Sequence, residues 1–420
     1  MSSPIPNTSP SPEASRAFLV TLITLTFVMN TIGRGISETF AVFLLPVEKA
    51  LAVDRATIAA TYSIYMMSYG LAAPFTGQLI DRFGARICYA TGLISLGSGY
   101  WLASTATSIG LYYLGVGVLG GIGTAALGMV TATSLIARWF SKGLGLASSI
   151  PYAAVGFGML LFPPITQLLL NTYNWRSVHQ MLAFAAFIPL LLLLVLPIRK
   201  FSQGSPSWQA MRANAKQSSS GGWTVSSAVK TSAFWALFLA YFATSVAAYS
   251  VLPHSVAFLV ESGISPLAAA SAFGLTGLLS TIGIIAIGWL SDRFGRIFAA
   301  TVSYLSTLLG IASLLAVGVW PSMALVYGFV IFFGLMQGAR GPILVALVAK
   351  IFAGGSVGAI YGTLSLALGT GAGVGSYVSG VLHNHSGSYR LSFIVAMGAV
   401  LVGILTFVLS PSIRHERVTG

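Results

Sequence analysis

The charged pattern Gly77-x-x-x-Asp81-Arg82-x-Gly84-x-Arg86 returns 211 residues later as Gly288-x-x-x-Asp292-Arg293-x-Gly295-Arg296, a separation of almost half the 420-residue chain. Each copy is a short polar turn between long apolar runs, which points to a duplicated membrane bundle. Twofold bundles of this kind mostly carry solutes by rocking one half against the other.

The repeat extends beyond the two turns. Ala137 to Phe140 (A-R-W-F) has its counterpart in Ala349 to Phe352 (A-K-I-F), 212 residues on. Trp175-Arg176 is matched by Tyr389-Arg390, 214 residues on. Each half is therefore expected to be a six-helix unit, related to the other by a pseudo-twofold axis along the membrane normal, with the transport path between them.

Composition agrees. Only 7% of the residues are charged and 56% are hydrophobic, whereas a soluble domain keeps roughly a quarter charged. Twelve spans of ~20 residues each fit the length. They are expected at 17–46, 56–80, 87–105, 110–137, 143–171, 178–198, 231–260, 265–290, 297–319, 323–349, 357–382 and 389–411. The expected organisation is a tail at 1–16, a bundle at 17–198, a Ser-rich linker at 199–230, a second bundle at 231–411 and a tail at 412–420. The first tail is expected to be disordered, and no cleaved signal is expected, because the apolar run after Arg16 continues to about Pro46.

The net charge of +13 is no nucleic-acid signature, because the basic residues sit singly at span ends and form no stripe. With the amino-terminal tail placed inside, fifteen Lys and Arg fall on that side, among them Arg138, Lys142, Arg199, Arg212, Lys216 and Arg417. Four fall outside: Lys49, Arg55, Arg176 and Arg390. The positive-inside bias then sets both termini in the cytoplasm. The single cysteine, Cys88, excludes a disulfide framework and a multi-thiolate metal site. No cofactor or metal is expected.

The duplicated turn resembles the loop between the second and third helices of major facilitator superfamily transporters. Arg138-Trp139-Phe140 with Lys142-Gly143 and Ala147 resembles the fifth-span signature of the oxalate:formate antiporter and monocarboxylate transporter branch, with Gly143 in its second basic position. Lys230-Thr231 with Phe234-Trp235 resembles the branch's entry to the seventh span. The resemblance implies that Asp81, Arg82 and Arg86, with Gly77 and Gly84, form a conformational latch, as do Asp292, Arg293 and Arg296 with Gly288 and Gly295. Relatives that carry small carboxylates place a cation four residues before the second motif glycine, and oxalate carriers another in the eleventh span. Here those positions are Ile284 and Leu368, so neither inherited charge is present. The drug-efflux fifth-span turn is also missing, since this chain reads Gly156, Gly158, Pro163 and Pro164.

Three ionised side chains fall well inside the spans: Arg34, Glu38 and Arg340. Each costs at least ~2.5–3.5 kcal/mol on insertion scales and should face the bundle interior or a watery cavity. Arg340 lies ten residues before Lys350, about 15 Å along a helix, which puts it near the bilayer midplane. Its repeat partner is Gly128. It is either the anchor for a substrate carboxylate or a structural arginine held by carbonyls or by Gln337. Arg34 and Glu38 share a helix face. They either neutralise each other or serve as a second substrate cation and the proton carrier. His254, behind the helix-breaking Pro253, either contacts substrate or satisfies a freed carbonyl. Tyr62, Tyr65 and Tyr69 form a stripe that reads first as packing. Tyr241 and Tyr249 are candidates for the cavity wall.

The sequence thus leads to an all-α twelve-helix secondary transporter, expected to be a monomer in a bacterial inner membrane. It would import a small organic anion with proton coupling or exchange against a counter-anion. A larger aromatic nutrient such as a vitamin is the alternative cargo. A receptor or intramembrane enzyme is a remote one.

Overall fold

The computed structural model describes residues 15–140, 144–196, 198–206, 208–209, 223–352 and 357–414. Lys142, Gly143, Arg212, Lys216 and Arg417 lie outside the described residues, as does most of each expected tail. All regular structure among the described residues is helical. Nine helical stretches there are long and apolar enough to cross a membrane. The other three expected spans take a different form. The second and third run together as Arg55–Ser104, interrupted at Gly84 by the charged turn. The tenth is broken into Met323–Gly334 and Arg340–Ile351.

Span starts follow local chemistry. Ser15, Asp54, Asn174, Thr231 and Ser265 each cap a helix by accepting a backbone N–H three residues on, which satisfies one of the donors that a helix leaves unpaired. The turn glycines Gly84 and Gly295 adopt φ of +82° and +91°, a region that an L side chain resists. The duplicated glycine is thus a backbone requirement of the duplicated turn.

Several spans break where they pass the molecule's centre. The first is Arg16–Glu38 and Phe40–Leu51, and so outlasts the expected end by five residues, through Pro46. The seventh is Ser232–Tyr249 and Leu252–Glu261, interrupted just before Pro253, which has no N–H to donate. The fourth breaks at Gly128, whose backbone is extended, after a π-helical stretch Tyr113–Leu119. Broken helices are tolerated at membrane depth only where protein or a wet cavity covers the freed backbone.

Two apolar cores match the two halves. Among the described buried residues, one gathers those between Leu22 and Phe201 and the other those between Ala228 and Ile413, with Ala41, Val42, Met159, Ala257 and Ala372 crossing over. The second span packs on the eleventh and the fifth on the eighth. Gly156 permits the latter approach, since a Cβ there would lie 2.4 Å from the Gly277 carbonyl oxygen. Such contacts between small residues take the place of the hydrophobic drive that helices lack in lipid.

Candidate functional site

Between the halves lies a cavity of about 270 Å³. Its wall takes Asn30 and Arg34 from the first span, Met66 and Tyr69 from the second, and Gly128 and Met129 from the fourth. Tyr152 and Met159 come from the fifth, Tyr241 and Tyr249 from the seventh, and Gln337 and Arg340 from the tenth. Gly128 and Arg340, paired by the repeat, both sit at helix breaks and both face this space.

Arg340 is 2% exposed. Its Nη1 donates to Thr307 Oγ1 at 2.9 Å, to Ser303 Oγ at 3.1 Å and to the Ser303 carbonyl at 3.3 Å. Its guanidinium carbon stands 4.5 Å from the Tyr304 ring centroid, a cation–π contact. Among the described residues, no carboxylate forms an ion pair with it. The ninth span therefore holds the guanidinium in place without neutralising it. Gln337 reaches the same wall, and its Oε1 has no hydrogen-bond partner among the described residues.

Arg34 is neutralised. Its Nη2 lies 2.7 Å from Glu38 Oε1, and its Nη1 donates to the Tyr65 hydroxyl at 3.2 Å. Glu38 is 3% exposed and accepts from the Tyr62 hydroxyl at 3.1 and 3.3 Å. Arg34 stands on the cavity wall and Glu38 behind it, outside the lining set. The tyrosine stripe is more than packing: Tyr62 and Tyr65 brace this pair, while Tyr69 faces the cavity with the Arg34 guanidinium 5.7 Å from its ring.

His254 is not brought to the cavity. It is fully buried, with Nε2 hydrogen-bonded to the Ser376 carbonyl and Nδ1 to the Tyr389 hydroxyl, both at 3.0 Å. Ile284 and Leu368 do line the cavity, so the two positions where related carriers place cations present apolar side chains here.

The charged turns are less symmetric than their sequences. Asp81 pairs with Arg138 at 2.6 Å, and no ion pair joins it to Arg82 or Arg86 among the described residues. Arg82 instead lies over the Phe83 ring. Gly77 approaches the fourth span, with Val130 Cγ1 3.8 Å from where its Cβ would be, while Gly288 has open space. In the second copy, Arg293 lies over Trp289 and Phe294, Arg296 opens the ninth span, and Asp292 has no ion pair among the described residues. Sequence reasoning missed Arg138 as the partner because 57 residues separate it from Asp81. It also missed Asn30, although Asn30 is one helical turn from Arg34.

Residues 23–339 match the Major Facilitator Superfamily. YcxA, an uncharacterised MFS-type transporter of Bacillus subtilis, is 27% identical over 91% of this chain and 92% of its own length. Monocarboxylate transporter 13 of Bos taurus is 27% identical over 90% and 85% of the two chains. Monocarboxylate transporter 12 of Mus musculus is 24% identical over 91% and 84%. Among solved structures, a bacterial homologue of the human lysosomal transporter Spinster, inward-facing and unoccupied, superposes with a TM-score of 0.74 at 14% identity, covering 97% of this chain and all of that one. With its twelve spans in two six-helix bundles around a central cavity, the chain belongs to the Major Facilitator Superfamily of membrane transporters.

Proposed function

We propose that the protein is a secondary transporter that imports a small organic anion, a monocarboxylate or dicarboxylate, by alternating access. The observation that carries this reading is Arg340, a buried guanidinium on the cavity wall with no carboxylate partner among the described residues. A lone cation at membrane depth is costly, and an anionic solute would neutralise it during each cycle. Arg34 is the auxiliary cation. A substrate carboxylate drawn to it would compete with Glu38, whose release would favour proton uptake. Glu38 is accordingly the proton carrier if the cycle is proton-driven, and exchange against a counter-anion is the alternative coupling. The relatives named monocarboxylate transporters support the solute class. The lysine and arginine bias supports cytoplasmic termini, and we place the protein as a monomer in a bacterial inner membrane.

Tyr69, Tyr152, Tyr241 and Tyr249 on the wall favour a second reading, an aromatic or heterocyclic nutrient. The cavity of about 270 Å³ stands at the low end of the roughly 300–1,000 Å³ of pockets for drug-sized ligands, and the uncompensated Arg340 favours the anion. A thermal-shift panel of purified protein against carboxylates and vitamins, followed by uptake into proteoliposomes, separates the two. Stabilisation and uptake confined to uncharged aromatic compounds would overturn the anion reading.

A further inference from the structure

The end of the molecule opposite the Asp81 turn holds a charged cluster with no part in the cavity wall. Arg55 opens the second span and is 5% exposed. Its Nε donates to Glu48 Oε1 at 2.8 Å, its Nη2 to Glu261 Oε1 at 2.7 Å and its Nη1 to the Tyr389 hydroxyl. Its backbone N–H donates to Asn384 Oδ1 at 3.1 Å. Glu48 belongs to Arg55's own half, and the other three partners belong to the opposite half.

The surrounding contacts make this end a seam. Ser63 Oγ donates to the Gly373 carbonyl at 2.6 Å and Ser376 Oγ to the Ala59 carbonyl at 3.3 Å. A Cβ on Gly380 would lie 2.7 Å from Ala56 Cα, so the two backbones touch. Five hydrogen bonds between the halves gather here, within residues 55–63 on one side and 261–389 on the other.

The distribution of charge matters as much as its presence. Separating a buried ion pair that has no other partners leaves two bare charges, a large penalty. Here Arg55 would leave with Glu48, while Glu261 is 37% exposed and stays open to solvent, with His383 Nε2 3.7 Å from its Oε2. Arg55 therefore keeps a carboxylate in its own half and Glu261 keeps its solvent contact, so the seam can open without stranding a buried charge.

We infer that Arg55 is the bolt of a gate that closes the cavity at this end, with Glu261 as its catch in the opposite half and Glu48 as the rest that receives it on opening. Arg55 is a positioning residue in the cycle, and the inference rests on the alternating-access reading above. It makes the two glutamates act in opposite directions. Loss of Glu261 weakens closure. Loss of Glu48 removes the resting partner and strengthens dependence on Glu261.

The test is a distance measurement by pulsed electron resonance on full-length protein in nanodiscs. Spin labels go on Ala50→Cys and His385→Cys in a Cys88→Ser background, one label in each half at this end. Arg55→Ala and Glu261→Gln should raise the ratio of long to short distances by about tenfold, equivalent to about 1.4 kcal/mol. Glu48→Gln should lower that ratio. Unchanged distances in folded Arg55→Ala and Glu261→Gln would overturn the gate, as would opening by Glu48→Gln. If Arg55→Ala does not fold, the opposed glutamate variants decide the question alone. Uptake by the same preparations, reconstituted in liposomes, keeps the two claims apart. A gate that responds in a protein moving no solute sinks only the transport reading, and uptake with unresponsive distances sinks only the gate.

Discussion

Arg138 Nη2 lies 2.6 Å from Asp81 Oδ1, tying the end of the fourth span to the turn after the second. The same guanidinium donates through Nη1 to the Ser202 carbonyl at 2.7 Å, and Ser202 Oγ accepts the Ala85 N–H at 2.8 Å. Trp139 Nε1 donates to the Phe201 carbonyl at 2.8 Å, and Phe18 packs edge-on against both rings. The short helix Ile198–Gln203 is thereby pinned to the charged turn by side chains from three segments.

Asp81→Asn should slow transport more than it weakens binding. Asp81 is half-exposed, so solvent screens its side of the pair, and Arg138 would keep its hydrogen bond to the Ser202 carbonyl, so the protein should remain folded. The cavity residues are separate from this end, and affinity at equilibrium should change little. Arg138→Lys should reproduce the defect, because an ammonium cannot serve Asp81 and the Ser202 carbonyl with one fork. Initial uptake rate is compared with equilibrium binding, and an equal loss of both would count against a latch.

Arg340→Ala should lose most substrate affinity, by roughly ten- to hundredfold, as expected when a charge-assisted hydrogen bond of ~1.5–3 kcal/mol is removed. Arg340→Lys should fold and still bind poorly. Its single ammonium would have to choose between the Ser303 and Thr307 hydroxyls and the solute. Calorimetric titration of both variants gives the answer. Wild-type affinity in folded Arg340→Ala would take Arg340 out of the site.

Glu38→Gln should abolish uphill uptake driven by a pH gradient while sparing exchange. The substitution leaves Arg34 without its carboxylate, and breaking a buried pair costs about 3–5 kcal/mol, so thermal unfolding must be recorded beside transport. A folded variant that still concentrates solute in response to the gradient would make Glu38 only the structural counter-ion of Arg34.

Topology is checked at Ser226, an exposed residue between the halves. In a Cys88→Ser background, Ser226→Cys should react with an impermeant maleimide only after cells are permeabilised. Reaction in intact cells would reverse the proposed orientation.

The parts of the fold governed by local chemistry were legible in the chain. The duplicated turn marked the two matching loops between spans, and Pro253 foretold the break in the seventh span. The break between Gly334 and Arg340 was not anticipated, although Pro342 stands just after it as Pro253 stands just after the break in the seventh span. What holds the tenth span there is its packing against the eighth and ninth spans. In the site, intramembrane charge singled out Arg34, Glu38 and Arg340, because lipid penalises charge regardless of neighbours. Arg55 gave no such signal. It read as a topology charge at a span end, and its link to Glu261 spans 206 residues. His254 was drawn toward the site by its proline neighbour, but both ring nitrogens found partners within the seam.

The matched breaks at Gly128 and Arg340 have a consequence for how such a protein can diversify. Duplication supplied the same interrupted helix twice, and only one copy carries a cation. Geometry and chemistry are therefore inherited separately: the kink opens a place on the cavity wall in either half, and the residue at that place sets what is attracted to it. Cargo can then drift by substitution at residues 128 and 340 while the machinery of rocking is left as it was.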